Sequence, residues 1–422
     1  MKSRIFTLLG IAILVSATAG AYPIDGYDDT GIRRLEAYRL INLGEIEGTK
    51  PANGALLPTS AVDLRLTGHK NLEIPPSDPE FTRQIRQLLG ENADSYGIAV
   101  LDLSDPDNPR YAEHRGDYRQ NVGSVGKIIA ALGLFQALAD TWADVATRER
   151  VLRQTIVTAD EFSQRDHHKV PFFDLDTRKL VKRSIEIGDR ATLWEYLDWM
   201  LSPSSNAAAG MVMREAMLLR QYGKDYAPDE TEIRRFFEET PKSELTKLYA
   251  RTFDEPLTKH GLDLDQVRQG SIFTRGGKNT VPGTGTSYAT ARTLMDLALL
   301  MEQGELVDEW SSRQLKRLLY LTERRIRYAS SPQLRDAAVY FKSGSLYSCR
   351  EEEGFECRPY AGNNKNFMSS FAIVESPAGD RDLDYMVMLI SNVLRVNSAV
   401  EHQTLGTRIQ QLLEGVHSQG GE

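Results

Sequence analysis

Ser124-Val125-Gly126-Lys127-Ile128-Ile129-Ala130-Ala131-Leu132-Gly133-Leu134-Phe135-Gln136-Ala137-Leu138-Ala139 is the run on which the reading of this chain turns. Ile128, Leu132 and Phe135 recur at helical spacing, and Ile129, Ala130, Ala131 and Leu134 cover much of the remaining surface. A helix apolar nearly all round belongs in the centre of a protein. Ser124 and Lys127 open it, three positions apart, so hydroxyl and amine share one face. A helix N-terminus favours the negative charge that develops on an attacked carbonyl. Serine is a weak nucleophile without a neighbouring base, and a desolvated lysine with a lowered pKa can serve. Many helices carry S-x-x-K with no such role; its place at the head of a buried helix is what makes it informative.

Before this run, Phe81 to Leu89 reads as a helix, Tyr96 to Leu103 as a strand, and Arg110 to Tyr118 as its hairpin partner across the turn residues Ser104 to Pro109. After it, Thr192 and Glu195 form a capping-box pattern ahead of the apolar stretch Leu197 to Leu201, which Pro203 stops. Asn206 to Arg220, a piece near 229–251, Tyr288 to Gln303 and Ser312 to Thr322 read as helices. Val339 to Lys342, Phe371 to Glu375 and Tyr385 to Ser391 read as strands. Strands at both ends with helices between give an α+β plan.

Two further triplets stand out. Ser204-Ser205-Asn206 follows a helix and a proline. Ser204 can relay a proton to a leaving nitrogen and Asn206 can orient an amide and Lys127; such a triplet is also an ordinary helix N-cap. Lys342-Ser343-Gly344-Ser345 ends a strand, where glycine lets a ligand approach the edge and the strand can pair with a peptide-like substrate. Read alone it is also an ordinary exposed strand end.

In this order the set S-x-x-K, S-x-N, K-S-G resembles serine β-lactamases of class A and penicillin-binding proteins, whose pattern includes S-x-x-K, S-D-N and K-T-G. The order of hairpin, central helix, capped helix and closing strands matches as well, over about residues 85–415. The resemblance implies a β-lactamase/transpeptidase-like α+β fold: an antiparallel sheet flanked by helices, plus a helical lobe. It implies Ser124 as the acylated nucleophile, Lys127 as its base, and Ser204 and Asn206 as proton shuttle and substrate guide. It implies Lys342, Ser343, Gly344 and Ser345 as the carboxylate-holding strand, with the N–H groups of Ser124 and Ser345 as oxyanion hole. No cofactor and no metal are implied. The expected substrate is a small-molecule β-lactam or a peptidoglycan peptide. A D-alanyl-D-alanine peptidase, or a sensor domain that acylates without turnover, would carry the same set.

Three departures follow. Ser205 stands where the pattern has Asp, and Ser343 where it has Thr. The E-x-x-L-N loop that carries the deacylating base in class A enzymes is absent, and Glu255 in Glu255-Pro256-Leu257 is a weak stand-in. His167-His168, beside Asp160 and Asp166, lacks the spacing of a metal motif and reads as surface loop.

The flanks set the context. Lys2 and Arg4, the apolar run Ile5 to Val15 and the small residues ending at Ala21 form a signal-peptide pattern, predicting residues 1–21 as a removable leader and an exported protein, periplasmic or secreted. Its removal takes the net charge from −8 to −10, which excludes a basic nucleic-acid footprint. No later segment is expected to hold the chain in a membrane. The two cysteines, Cys349 and Cys357, stand close together and are expected to pair in an oxidising compartment. Residues 22–84, rich in Gly, Pro and Asp, read as an extended arm with a short strand at Asp63 to Thr67, leaving 85–422 as the hydrolase domain.

Overall fold

The computed structural model describes residues 25–323, 325–380 and 382–419, so the expected leader, residues 1–21, lies outside them. Two helices open the described chain, α1 (Tyr27–Thr30) and α2 (Arg33–Leu43). The next, α3 (Pro79–Leu88), starts at Asp78, whose carboxylate accepts from Glu80 N and Phe81 N, with a proline in the first turn where its missing N–H is no loss. The hairpin is β1 (Tyr96–Asp102) and β2 (Arg110–His114). The central helix α4 (Lys127–Thr141) is followed by α5 (Val145–Gln154), then by β3 (Ile156–Thr158), β4 (Val170–Asp174), β5 (Lys179–Arg183) and β6 (Arg190–Thr192). These four short strands make two small sheets, β3 with β6 and β4 with β5.

The helical lobe continues with α6 (Leu193–Leu201), α7 (Asn206–Tyr222), α8 (Glu230–Glu239), α9 (Lys242–Phe253) and α10 (Glu255–Lys259). It closes with α11 (Arg275–Thr280), α12 (Ala291–Glu302) and α13 (Glu309–Tyr320). The capping box at Thr192 and Glu195 forms as expected, and α6 ends ahead of Pro203. Then come β7 (Ala338–Ser348), β8 (Lys365–Ser376), β9 (Leu383–Asn392) and the last helix, α14 (Ser398–Gln419).

The main sheet is antiparallel throughout, in the order β2-β1-β9-β8-β7. Its strands bury both faces. Along β1, Ala99 and Leu101 enter one core while Ile98 and Val100 enter the other. Along β9, Met386, Met388 and Ile390 oppose Tyr385, Val387 and Leu389 in the same way. The outer core is closed by Phe81 and Ile85 of α3 and by Leu405, Ile409 and Leu413 of α14. The inner core is the helical lobe packed around α4, in which every residue from Lys127 to Leu138 is buried. Each fully buried Leu, Ile or Phe contributes about 1.5–3 kcal/mol. Gly133 lets α9 approach closely: a Cβ there would sit 2.6 Å from Thr252 O and from the Phe253 ring, so Gly133→Leu would force the two helices apart. By length and composition Gly123–Thr141 passes for a membrane span, but most of it is packed inside the body.

The arm differs from expectation. Asp63 to Thr67 is not a strand. The alternation is real, since Leu64 and Leu66 are buried while Asp63 faces solvent. Yet Leu66 N bonds Glu302 O at the end of α12 rather than a neighbouring strand. Nor is the arm extended throughout, because α2 docks on α6. Arg34 holds Asp198 with two bonds of 2.6 Å and caps Leu321 O at 2.7 Å, and Arg33 holds Glu195 at 2.7 Å. Ile32, Leu35, Leu56, Val62 and Leu66 join the inner core.

Candidate active site

Ser124 sits on a 3-10 turn, Gly123–Gly126, that leads into α4 at Lys127, so the regular helix begins three residues later than the sequence pattern suggests. Asn121 Oδ1 accepts from Gly123 N at 2.9 Å and fixes the turn. The turn is pressed against β7. A Cβ on Gly344 would lie 1.9 Å from Val122 O and 2.6 Å from Ser124 N. A Cβ on Gly123, which has φ 55°, would lie 3.0 Å from Ser345 N. The two glycines thus let the turn that carries Ser124 lie directly against the β7 backbone at Ser345.

Lys127 is the hub. Its Nζ donates to Ser124 Oγ at 2.9 Å, to Ser204 O at 2.7 Å and to Asn206 Oδ1 at 2.7 Å, with Ser204 Oγ at 3.3 Å. Burial pushes its pKa down to about 7, against a weaker opposing pull from Asp166, so a neutral amine is available near neutrality. Lys342 Nζ reaches Ser204 Oγ at 2.8 Å from the opposite side, and burial together with Lys127 and Arg327 holds that ammonium well below its usual range. One hydrogen-bonded path therefore runs Ser124, Lys127, Ser204, Lys342. Ser204 is held for this in a left-handed backbone conformation, φ 66°, which a serine adopts only at a cost of about 1–3 kcal/mol.

The triplet caps a helix and also meets Lys127. Ser205 Oγ is the N-cap of α7, accepting from Ala208 N, while Ser204 and Asn206 meet Lys127. The carboxylate absent at Ser205 is supplied from a facing loop: Asp166 Oδ2 accepts from Ser205 Oγ at 2.8 Å and from Ala207 N at 2.9 Å. Burial works to raise the Asp166 pKa, but the His168 ring and the backbone N–H groups of Ala207 and His168 outweigh it and hold the carboxyl low.

On β7, Lys342 and Ser343 are buried rather than exposed. Ser343 Oγ and Ser345 Oγ accept from the two ends of one guanidinium, Arg327, at 2.7 and 3.0 Å. Arg327 lies 5.0 Å from the Tyr360 ring, at a positive φ of 56°. Sequence reading missed it, for nothing local distinguishes it from nearby arginines.

The cleft has two lobes that share Ser124, Asn206, Ser345 and Leu346. The larger, about 710 Å³, runs past Ser204, Lys342, Arg327 and His168; the smaller, about 380 Å³, runs past Gln269, Phe273 and Lys278. Among the described residues, no Asp or Glu lines either lobe. Glu255 is exposed at the head of α10 and lies outside both. Beside the turn that carries Ser124 stands an amide instead. Gln269 Oε1 occupies the space over Gly126, where a Cβ would come within 2.1 Å of it, and the Phe273 ring lies 5.0 Å from Lys127 Nζ.

His167 and His168, read from sequence as surface loop, line the larger lobe, with their rings stacked 4.4 Å apart. Ligand-type atoms of Asp166, His167 and His168 lie within 4.8 Å of one another, but both Asp166 oxygens and His168 Nδ1 are already engaged in hydrogen bonds. Cys349 and Cys357 form a disulfide in the β7–β8 connection, which also brings Pro359 and Tyr360 to the rim.

No curated protein matches the chain in sequence. Solved structures that share its fold include the following three. PBP-A is 15% identical, with 81% of this chain and 100% of that one covered, at a TM-score of 0.50. The β-lactamase from Sphaerobacter thermophilus DSM 20745 is 13% identical, with 79% and 97% covered, at 0.50. TLA-3 extended-spectrum β-lactamase is 12% identical, with 79% and 98% covered, at 0.50. At these identities the likeness is one of fold. The family model described as the β-lactamase enzyme family matches residues 80–356, which contain all three motifs, and by that match the chain belongs to the β-lactamase enzyme family.

Proposed function

We propose that the chain is an exported serine hydrolase that works through an acyl-enzyme on β-lactams or related amides, with Ser124 as nucleophile. The observation that carries this is the unbroken contact path from Ser124 Oγ through Lys127 Nζ and Ser204 Oγ to Lys342 Nζ. With Lys127 neutral, the 2.9 Å contact lets the Ser124 hydroxyl donate to the amine. Ser124 Oγ bonds to the carbonyl carbon, its proton goes to Lys127, and the N–H groups of Ser124 and Ser345 hold the oxyanion. On collapse the C–N bond breaks, Ser204 Oγ protonates the nitrogen, and Lys127 restores the Ser204 proton. Lys342, Ser343 and Ser345, joined by Arg327, take the substrate carboxylate. The leader pattern and the disulfide support export.

A second reading, a D-alanyl-D-alanine peptidase or penicillin-binding enzyme, is favoured by the composition of the cleft wall, where no Asp or Glu among the described residues stands to activate water on a penicilloyl ester. Losing a general base costs about 10²–10⁴ in rate. Penicillins should therefore give a burst and then a low steady rate. Steady-state hydrolysis of a chromogenic cephalosporin beside a D-Ala-D-Ala peptide separates the two: burst-free, fast cephalosporin turnover makes it a lactamase, and peptide turnover with a slow cephalosporin makes it a peptidase. Inertness toward both, with no adduct, would remove the hydrolase reading.

A further inference from the structure

Asp166 braces the S-x-N triplet, and His168 braces Asp166. Asp166 Oδ1 accepts from His168 N at 3.2 Å and lies 2.5 Å from His168 Nδ1. A carboxylate can only accept, so Nδ1 carries the proton and Nε2 keeps its lone pair. Among the described residues no protein group bonds that Nε2. The Asp166 side chain is 2% exposed, while His168 keeps 26% of its side chain open on the wall of the larger lobe. That lobe also holds Ser204, Lys342 and Arg327, the groups that meet the leaving amine and the substrate carboxylate.

We infer that the Asp166–His168 pair is the proton acceptor for release of the acyl group, acting on a water that fills the place a departed leaving group has vacated. This rests on the reading of Ser124 as the acylated nucleophile. The water oxygen bonds to the ester carbonyl carbon and its proton passes to His168 Nε2. The imidazolium proton passes through solvent to Lys127, which acylation has left neutral; on collapse the bond to Ser124 Oγ breaks and Lys127 Nζ gives that oxygen the proton, so one water is consumed and both groups are restored. The inference also names a substrate class. Linear esters and amides lose their leaving group and admit this water. A β-lactam keeps its amine tethered to the acyl group, which goes on filling the lobe, and its release stays slow.

The imidazole is neutral at working pH. Burial lowers its pKa most, Asp166 opposes, and Lys127 and the stacked His167 lower it further; Lys169, Lys342 and Arg327 are the remaining cations of the lobe.

The test uses His168→Asn, whose carboxamide N–H can still donate to Asp166 but offers no base. The probes are a fluorescent penicillin for acylation and a linear ester of a carboxylate-bearing depsipeptide for turnover. Ester turnover should fall about 10²-fold, by far more than penicillin acylation falls, acyl-Ser124 should accumulate, and the rise of rate with pH that deprotonation of His168 gives should disappear. His168→Gly should recover turnover when free imidazole is added, which a role confined to bracing the triplet would not do. Unchanged ester turnover in His168→Asn, a proportional fall in acylation and turnover, or failure of imidazole rescue would overturn the inference. Absence of any penicillin adduct on the unmodified protein would remove the parent reading, and this one with it.

Discussion

Replacing Arg34 by Met should cost the protein about 3–5 kcal/mol, the usual penalty for removing one partner of a buried ion pair. The side chains of Arg34 and Asp198 are 1% and 0% exposed, and the guanidinium makes three bonds of 2.6–2.7 Å, two to Asp198 and one to Leu321 O. Methionine fills part of the volume but leaves an uncompensated carboxylate and an orphan carbonyl inside the protein. With an unfolding entropy of about 2.1 cal/mol/K per residue, a chain of 422 residues has about 0.9 kcal/mol/K at its midpoint, so the melting temperature should fall by about 3–6 °C. Asp198 lies on α6, which runs directly into Pro203-Ser204, so penicillin labelling should weaken at temperatures just below the new midpoint. The assay is a thermal scan by circular dichroism at fixed pH, with Arg34→Met and Arg34→Met/Asp198→Leu side by side. The double variant removes the stranded charge and should recover most of the loss. A single-variant shift below about 1 °C, or a double variant no better than the single, would refute the claim that the arm is clamped to the lobe by this pair.

Three further outcomes follow from the same geometry. Because Lys127 must be neutral to accept the Ser124 proton and burial brings its pKa to about 7, acylation should rise with pH to half its maximum near pH 7, and Lys127→Ala should lower it about 10²–10⁴-fold; stopped-flow labelling from pH 6 to 8 that shows no slope contradicts this. Arg327→Ala should weaken acylation by free-acid penicillins about 10- to 150-fold, the worth of a charged hydrogen bond of about 1.5–3 kcal/mol, and leave a penicillin methyl ester unaffected. Burial, then the Glu302 charge, raises the Asp384 pKa to about 8; the folded state therefore holds a proton that the unfolded chain releases near pH 4, and stability should fall as pH rises through that window, a fall that Asp384→Asn abolishes in urea titrations taken at several pH values.

The parts legible in the sequence are those whose signal is local. The apolar run after Ser124, the Thr192–Glu195 cap and the three closing strands each carry their periodicity within a dozen residues, and each forms, with ends shifted by a few residues. The contact of Ser124, Lys127, Ser204, Asn206 and Lys342 follows from the order of motifs in the family, not from any spacing between them. What stayed hidden depends on distant partners. Helix α2 buries Arg34 among Leu35, Ala37, Leu40 and Ile41, and a charge within the docked face cancels the amphipathic signal. Arg327 matters only because a left-handed turn aims it at β7. Asp166 replaces a carboxylate expected at Ser205, across a loop 39 residues away in sequence.

The central claim is that Ser124 is acylated. Intact-mass spectrometry of the purified protein mixed with benzylpenicillin, followed by peptide mapping, measures this directly. The account predicts one added penicillin per chain, carried on the peptide containing Ser124, persisting as release lags, and absent from Ser124→Ala. An adduct on another residue, or unmodified protein after exposure to several acylating β-lactams, would contradict it.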